Sequence, residues 1–227
     1  MADRLRNPRL WLAWRGVLSH RATSMKLYYM TGACSLATHI CLYEADAKFE
    51  AARLDRKNRV FSDGVPIDQL NSKGYVPILK LDDGSVLTEN VAILLYVADM
   101  HTAARLGPAP GVSIERYRFI EWLAFVSSEI HKNFGPLFHP DGHEELRIYA
   151  ISNLSKRLGW LNGALGEKKF LMSDRFTAAD AYLYTVLNWS GAVKIDLGQW
   201  PNLKRYHGEI ALRPAVLAAT AAERKPK

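Results

Sequence analysis

A chain of 227 residues with 48% apolar and 23% charged side chains can bury the core of one large or two modest domains, which excludes global disorder. No apolar run reaches the ~20 residues that a membrane-spanning helix requires. The net charge of +7 is concentrated in residues 1–24, and the weakly basic remainder lacks the electrostatic footprint of a nucleic-acid binder.

Residues 1–24 carry Arg4, Arg6, Arg9, Arg15 and Arg21 against Asp3 alone, interleaved with Trp11, Leu12, Trp14 and Leu18. They are Arg-rich and acid-poor, as targeting or membrane-surface peptides are. They lack the compact apolar stretch and small-residue cleavage site of a secretory signal. Met25 stands just before the first strand pattern, so 1–24 read as a basic extension outside the fold.

From Met25 the pattern predicts a strand over 26–29, a helix over 35–44 and a strand over 49–54. Residues 55–75 are polar and Gly/Pro-marked, a loop with a short helix near 67–70. Strands over 78–81 and 85–87 flank Asp82-Asp83-Gly84, a hairpin turn signal. A helix over 89–100 follows, with Val91, Ile93, Leu94 and Val97 on its apolar face. This β-α-β, then β-β-α order is that of a small α/β sandwich occupying 25–104. The Gly/Pro-rich stretch 105–112 is a linker. Beyond it no strand-like alternation remains. Helices are expected over 113–133, 144–165 and 177–193, with shorter ones over 203–210 and 214–221, so 113–227 forms an all-helical domain. Thr177 and Asp180 have capping-box spacing and should start a helix whose Tyr182, Val186 and Trp189 are core.

Cys34 carries the chemistry. It follows a strand and Gly32 and precedes a helix in which Leu36, Ile40 and Tyr43 share a face. Unpaired N–H groups and the dipole of a helix N-terminus favour a thiolate there, so a lowered pKa and high reactivity are expected. The local sequence fits equally well a small buried residue at a strand–helix turn. Cys41 lies two helical turns on, roughly 10 Å away, too far to pair with Cys34, and reads as core. Position 37 is Ala37, so no C-x-x-C pair exists and any redox chemistry would be monothiol. Two cysteines without a disulfide framework fit a reducing, cytoplasmic location. His139 and His143 have the spacing of a helical zinc pair, but Pro140 and Gly142 intervene and no third ligand is evident, so no metal site is expected.

Several segments, in order along the chain, resemble the cytosolic glutathione transferases, and most of all their bacterial beta class. They are Met25-Lys26-Leu27-Tyr28-Tyr29, Gly32-Ala33-Cys34-Ser35-Leu36, Lys73-Gly74-Tyr75-Val76-Pro77 and Asp82-Asp83-Gly84-Ser85-Val86-Leu87-Thr88-Glu89. Glu121-Trp122-Leu123, Ser128-Glu129-Ile130-His131-Lys132 and Phe176-Thr177-Ala178-Ala179-Asp180-Ala181-Tyr182-Leu183 follow. The resemblance implies a thioredoxin-like N-terminal domain, an all-helical C-terminal domain, a homodimer and a glutathione site in the cleft between domains. It implies that Cys34 meets the glutathione sulfur, with His131 and Lys132 above it, where a cation would further favour a thiolate. Tyr75, Val76 and Pro77 would form the cis-proline turn whose backbone pairs with glutathione as an added strand. Glu89 and Asn90 would hold the γ-glutamyl end, and Arg59 would face the glycyl carboxylate.

Each of these residues also has a plain structural reading. Glu89 suits the first turn of any helix, Arg59 suits a solvated loop, and His131 and Lys132 suit a helix C-terminus. Two positions depart from the family pattern: Asn90 stands where Ser or Gly is usual, and Ala124 where the beta class often has an Asn that reaches glutathione across the dimer. Tyr28 and Tyr29 occupy the place of the catalytic Tyr of other classes and are expected to be packing residues. The expected reaction is transfer of glutathione to a small, mostly apolar electrophile, seated near Phe125, Phe134 and Phe138. Two alternatives stand beside it: a glutathione-dependent thiol oxidoreductase or reductive dehalogenase with Cys34 as nucleophile, and a non-catalytic interaction module of the same fold.

Overall fold

A computed structural model describes residues 25–139 and 142–224. The expected extension 1–24, and Pro140 between the two histidines, lie outside the described residues.

Five strands form one mixed sheet in the order β3-β2-β1-β4-β5. The central strand β1 (Met25–Tyr29) pairs in parallel with β2 (Phe49–Asp55) and antiparallel with β4 (Ile78–Lys80). β4 and β5 (Val86–Thr88) form the expected hairpin. β3 (Val60–Phe61), which pairs with β2, was not anticipated in the polar stretch. Two residues are too few to show alternation.

The period of two along β1 divides the domain. Met25, Leu27 and Tyr29 point into the main core, while Tyr28 points to a smaller one with Phe61, Ile67, Val76 and Ile78. The smaller core is covered by α2 (Ile67–Leu70). Tyr28 stacks edge-on to Phe61 at 4.7 Å, and Tyr29 packs on His39, so both tyrosines are packing residues.

Helix α1 (Ser35–Glu44) spans the expected residues, and Ser35 to Leu42 are all buried. It packs against α3 (Asn90–Met100) of its own domain and against α7 (Ala178–Leu187) and α10 (Pro214–Arg224) of the helical domain. A helix enclosed by partners of both domains is buried nearly all round, its buried polar residues Ser35, Thr38 and His39 being hydrogen-bonded. Tyr43 is the exception to its predicted face, since it is exposed and stacks on His39.

The single long helix expected over 113–133 is divided. α4 (Ile114–Phe125) passes into a π-helical turn, Val126–His131, then α5 (Lys132–Phe134) and a 3-10 turn, Gly135–Phe138. The π-turn shifts the side chains after it relative to a straight α-helix. Helix α6 (Glu144–Leu165) matches its expected span. The helix expected over 177–193 is α7 followed by α8 (Trp189–Ala192), separated at Asn188. α9 (Pro201–Ala211) and α10 complete the domain. At the start of α7, the carboxylate of Asp180 accepts the Thr177 N–H and hydroxyl, each at 2.8 Å, and also the Leu171 N–H and the Tyr206 hydroxyl. Among the described residues no helix is long and apolar enough to cross a membrane.

Candidate active site

The loop between β1 and α1 ends at Cys34, the N-cap of α1. Its Sγ donates to the Val76 carbonyl at 3.5 Å. The Val76–Pro77 peptide is cis, as the resemblance implies, and the turn it makes lies against the cysteine. The electrostatics differ from expectation. Burial pushes the Cys34 thiol up to about 12, and Glu89 adds to the rise. The N–H groups of Cys34 and Ser35 and the charge of Lys132 act the other way and are outweighed. The helix N-terminus is present, but desolvation exceeds it, so the resting sulfur is a neutral thiol rather than the expected thiolate.

Glu89 lies across the turn. It caps α3 with φ of +69°, a conformation that side chains with a β-carbon rarely adopt. Lys73 and Tyr75 hold it there: the Lys73 ammonium makes a short ion pair with Oε1, and the Tyr75 hydroxyl donates to the same oxygen at 2.6 Å. Lys73, then Tyr75, keep the Glu89 carboxyl below its ordinary pKa, and Lys132 adds to this from a distance. Glu89 is thus a fixed anion at the mouth of the site, and strained backbone of this kind is concentrated at functional positions. Lys73 is a component that its place in a motif alone did not reveal.

Asn90 does not face outward with Glu89. It is buried, its Oδ1 accepts from the Thr38 hydroxyl at 3.1 Å, and its Nδ2 has no hydrogen-bond partner. The longer side chain turns into the core and is not presented at the mouth of the site beside Glu89. Arg59 pairs with Asp68 at 2.7 Å. Its Nη2 lies beside Gly74, so closely that a β-carbon there would sit 3.0 Å from it. Arg59 therefore borders the Gly74–Tyr75 turn with its charge already matched on one side.

His131 and Lys132 follow the π-turn. Burial, then Lys132, lowers His131 to about 4, so it is a neutral imidazole and not the expected cation. Its Nδ1 is 2.6 Å from the Tyr182 hydroxyl. Burial raises Tyr182. Tyr182, read from sequence as core alone, thus holds the His131 ring. Lys132 is exposed and remains the cation acting on both Cys34 and Glu89.

An aromatic wall completes the cleft. Trp189 packs edge-on to His131 (4.8 Å), Phe134 (5.6 Å) and Phe138 (5.6 Å). Phe138 is exposed whereas Phe134 is fully buried. Phe125, expected beside them, joins Trp122 and Trp160 in a separate cluster. Ala124 is exposed on α4. Cys41 is fully buried and both cysteines are free. Among the described residues no cluster of His, Cys, Asp or Glu could hold a metal ion.

The model of the glutathione S-transferase N-terminal domain matches residues 23–99, and that of the C-terminal domain matches 125–214. Glutathione S-transferase GstA of Escherichia coli O157:H7 is 44% identical over 199 residues, covering 88% of this chain and 98% of the relative. A beta-class glutathione S-transferase of Sphingomonas chungbukensis superposes with a TM-score of 0.84 at 44% identity, over 88% of this chain and 98% of the other. A sphingomonad glutathione S-transferase solved in complex with glutathione superposes equally well at 44% identity, over 87% and 98%. With a thioredoxin-like domain followed by a helical domain, the chain belongs to the glutathione S-transferase family, is most like its bacterial beta class, and is a transferase with glutathione as co-substrate.

Proposed function

We propose that Cys34 serves the transfer as a neutral thiol, donating a hydrogen bond to the sulfur of bound glutathione. The observation that carries this is the Sγ at the N-cap of α1, donating to the Val76 carbonyl at 3.5 Å, with desolvation pushing its thiol up to about 12. Glutathione would lie extended along Val76 and Pro77 as an added strand. Its ammonium would meet the Glu89 carboxylate, displacing Lys73, and the backbone at the start of α3 would take its α-carboxylate. Tyr75 keeps Glu89 oriented. Arg59 and Lys132 supply positive charge at the edges, suited to the glycyl carboxylate and to the developing thiolate respectively.

In the reaction the glutathione thiol releases its proton to solvent, and the thiolate attacks the electrophilic carbon. A carbon–sulfur bond forms, and the leaving group departs with its electron pair. A donated S–H bond lowers the energy of the thiolate before attack. His131, neutral and tied to Tyr182, fixes the ring wall on which an apolar electrophile would rest, beside Trp189 and Phe138. The working form is read as a homodimer in the cytoplasm, acting on small apolar electrophiles.

The test compares Cys34→Ser and Cys34→Ala by conjugation kinetics and glutathione calorimetry. Serine keeps a donor, so conjugation should survive in Cys34→Ser and fall about tenfold or more in Cys34→Ala, the scale of one hydrogen bond to a charged group. Abolition in both, with mixed disulfide forming on the wild type, would instead assign Cys34 the nucleophile's role and thiol exchange as the activity. Absence of glutathione binding by the wild type would leave only the non-catalytic reading.

A further inference from the structure

The loop that delivers Cys34 is held by the other domain. Thr31 and Gly32 are exposed, and a β-carbon on Gly32 would meet nothing within 4 Å. Met30 and Ala33 on either side pack against the smaller core, but apolar packing does not reach the Thr31–Gly32 tip, and exposed tips of this kind are mobile unless otherwise held. Gly32 instead has both its peptide groups taken. Its N–H donates to Glu223 Oε2 at 2.9 Å, and its C=O accepts from Trp189 Nε1 at 2.8 Å. The Thr31 hydroxyl donates to the Glu223 backbone carbonyl at 3.1 Å. Gly32 sits at φ of +73° in the turn closed by Ala33 N–H to Met30 carbonyl. The two grips thus hold a glycine-specific turn two residues before the sulfur.

Glu223 is unusual in its place. On α10 it stands on the buried stripe with Val216 and Ala219, and it is 2% exposed. A charge in such a position is costly unless its oxygens are matched. Oε2 takes the Gly32 N–H, and Oε1 lies 3.2 Å from Nδ1 of the buried His39 on α1. One carboxylate therefore ties the loop before Cys34 to the helix that follows it. Packing alone would be served by leucine at this position.

We propose that Glu223 and Trp189 are positioning residues for Cys34, clamping the Gly32 peptide so that the thiol stays at the N-cap of α1 and beside Val76. The inference rests on the reading that Cys34 serves the glutathione sulfur. It makes the end of the chain part of the site. It also explains why Trp189 faces both ways, with its ring in the acceptor wall and its N–H on the cysteine loop. Displacing a reacting group by about 1 Å can lower a rate about a hundredfold.

The test uses Trp189→Phe, which keeps a ring and removes the N–H, with Glu223→Leu and Glu223→Gln. Three readouts are taken: kcat and KM for conjugation, thermal midpoint, and the pH profile of Cys34 alkylation by iodoacetamide. Trp189→Phe and Glu223→Leu should lower kcat about tenfold or more. They should also speed alkylation at pH 8, because a released loop exposes the thiol to water and lets its pKa fall. Glu223→Gln, whose amide oxygen can still accept from Gly32, should recover most of both. A role in stability alone would move only the midpoint. Unchanged kcat and an unchanged alkylation profile in Trp189→Phe would overturn the clamp, even if Glu223→Leu fails to fold. Alkylation requires no glutathione, so it judges the clamp separately. Full conjugation by Cys34→Ala would overturn the role of Cys34, and with it the catalytic purpose assigned to the clamp.

Discussion

The state of the Cys34 sulfur can be read directly by titrating its reactivity. Only the thiolate is alkylated at a useful rate. An unperturbed thiol with a pKa near 8.5 is about 3% ionised at pH 7. With the thiol at about 12, the ionised fraction at pH 7 falls to about one part in 10⁵, some three thousandfold less. Cys41 is fully buried in the core and does not compete in the folded protein. Reaction with excess iodoacetamide, followed by mass of the intact chain between pH 6 and 10, should therefore report Cys34 alone. The rate should rise about tenfold per pH unit across the whole range without levelling. A plateau at or below pH 8.5 would show that the helix N-terminus and Lys132 overcome burial, and the argument for a neutral thiol donor would fail.

Other expectations concern the surroundings of the sulfur. Glu89→Gln removes the charge facing the glutathione ammonium and should weaken glutathione binding roughly tenfold or more, from about 1.5–3 kcal/mol for a hydrogen bond to a charged group, measured by calorimetry. Because Lys73 and Tyr75 hold the Glu89 carboxyl below its ordinary value of 4.5, its charge is present above that pH and is lost only as pH falls through the lower folded value. Its contribution to binding should be constant from pH 7 to 5, and a decline centred near pH 6 would refute it. Arg213 pairs with Glu44 through two nitrogens at 2.7 and 2.9 Å and lies over the Phe176 ring at 4.1 Å, joining the two domains. Arg213→Ala should cost about 2 kcal/mol in urea unfolding, and Arg213→Lys should recover only part, lacking the planar fork. Asp180→Ala leaves the N–H groups of Leu171 and Thr177 and the Tyr206 hydroxyl without their acceptor. It should cost about 3 kcal/mol or more, at ~1–3 kcal/mol for each buried unsatisfied group.

What the sequence made legible divides along a physical line. Helices α1 and α6 could be bounded closely because a local apolar period carries them. The cis-proline turn and the helix-start positions of Glu89 and Cys34 could be placed because each lies in a short run of residues with a local geometry of its own. Tyr182, Trp189 and Glu223 could not. Their partners stand 51, 157 and 191 residues away in sequence, and no local pattern separates a tryptophan that grips a loop from one that fills a core. The π-turn was equally hidden, since the apolar stripe runs through it without a visible break. The sulfur shows the same limit in energetic form. The helix N-terminus that favours a thiolate is written in the residues around Cys34, while the desolvation that opposes it arises from the whole cleft. A local reading therefore singled out the residue and left its protonation state open between a thiolate and a buried thiol. The identity of the group and its chemistry are set on different length scales, and here the longer one decides.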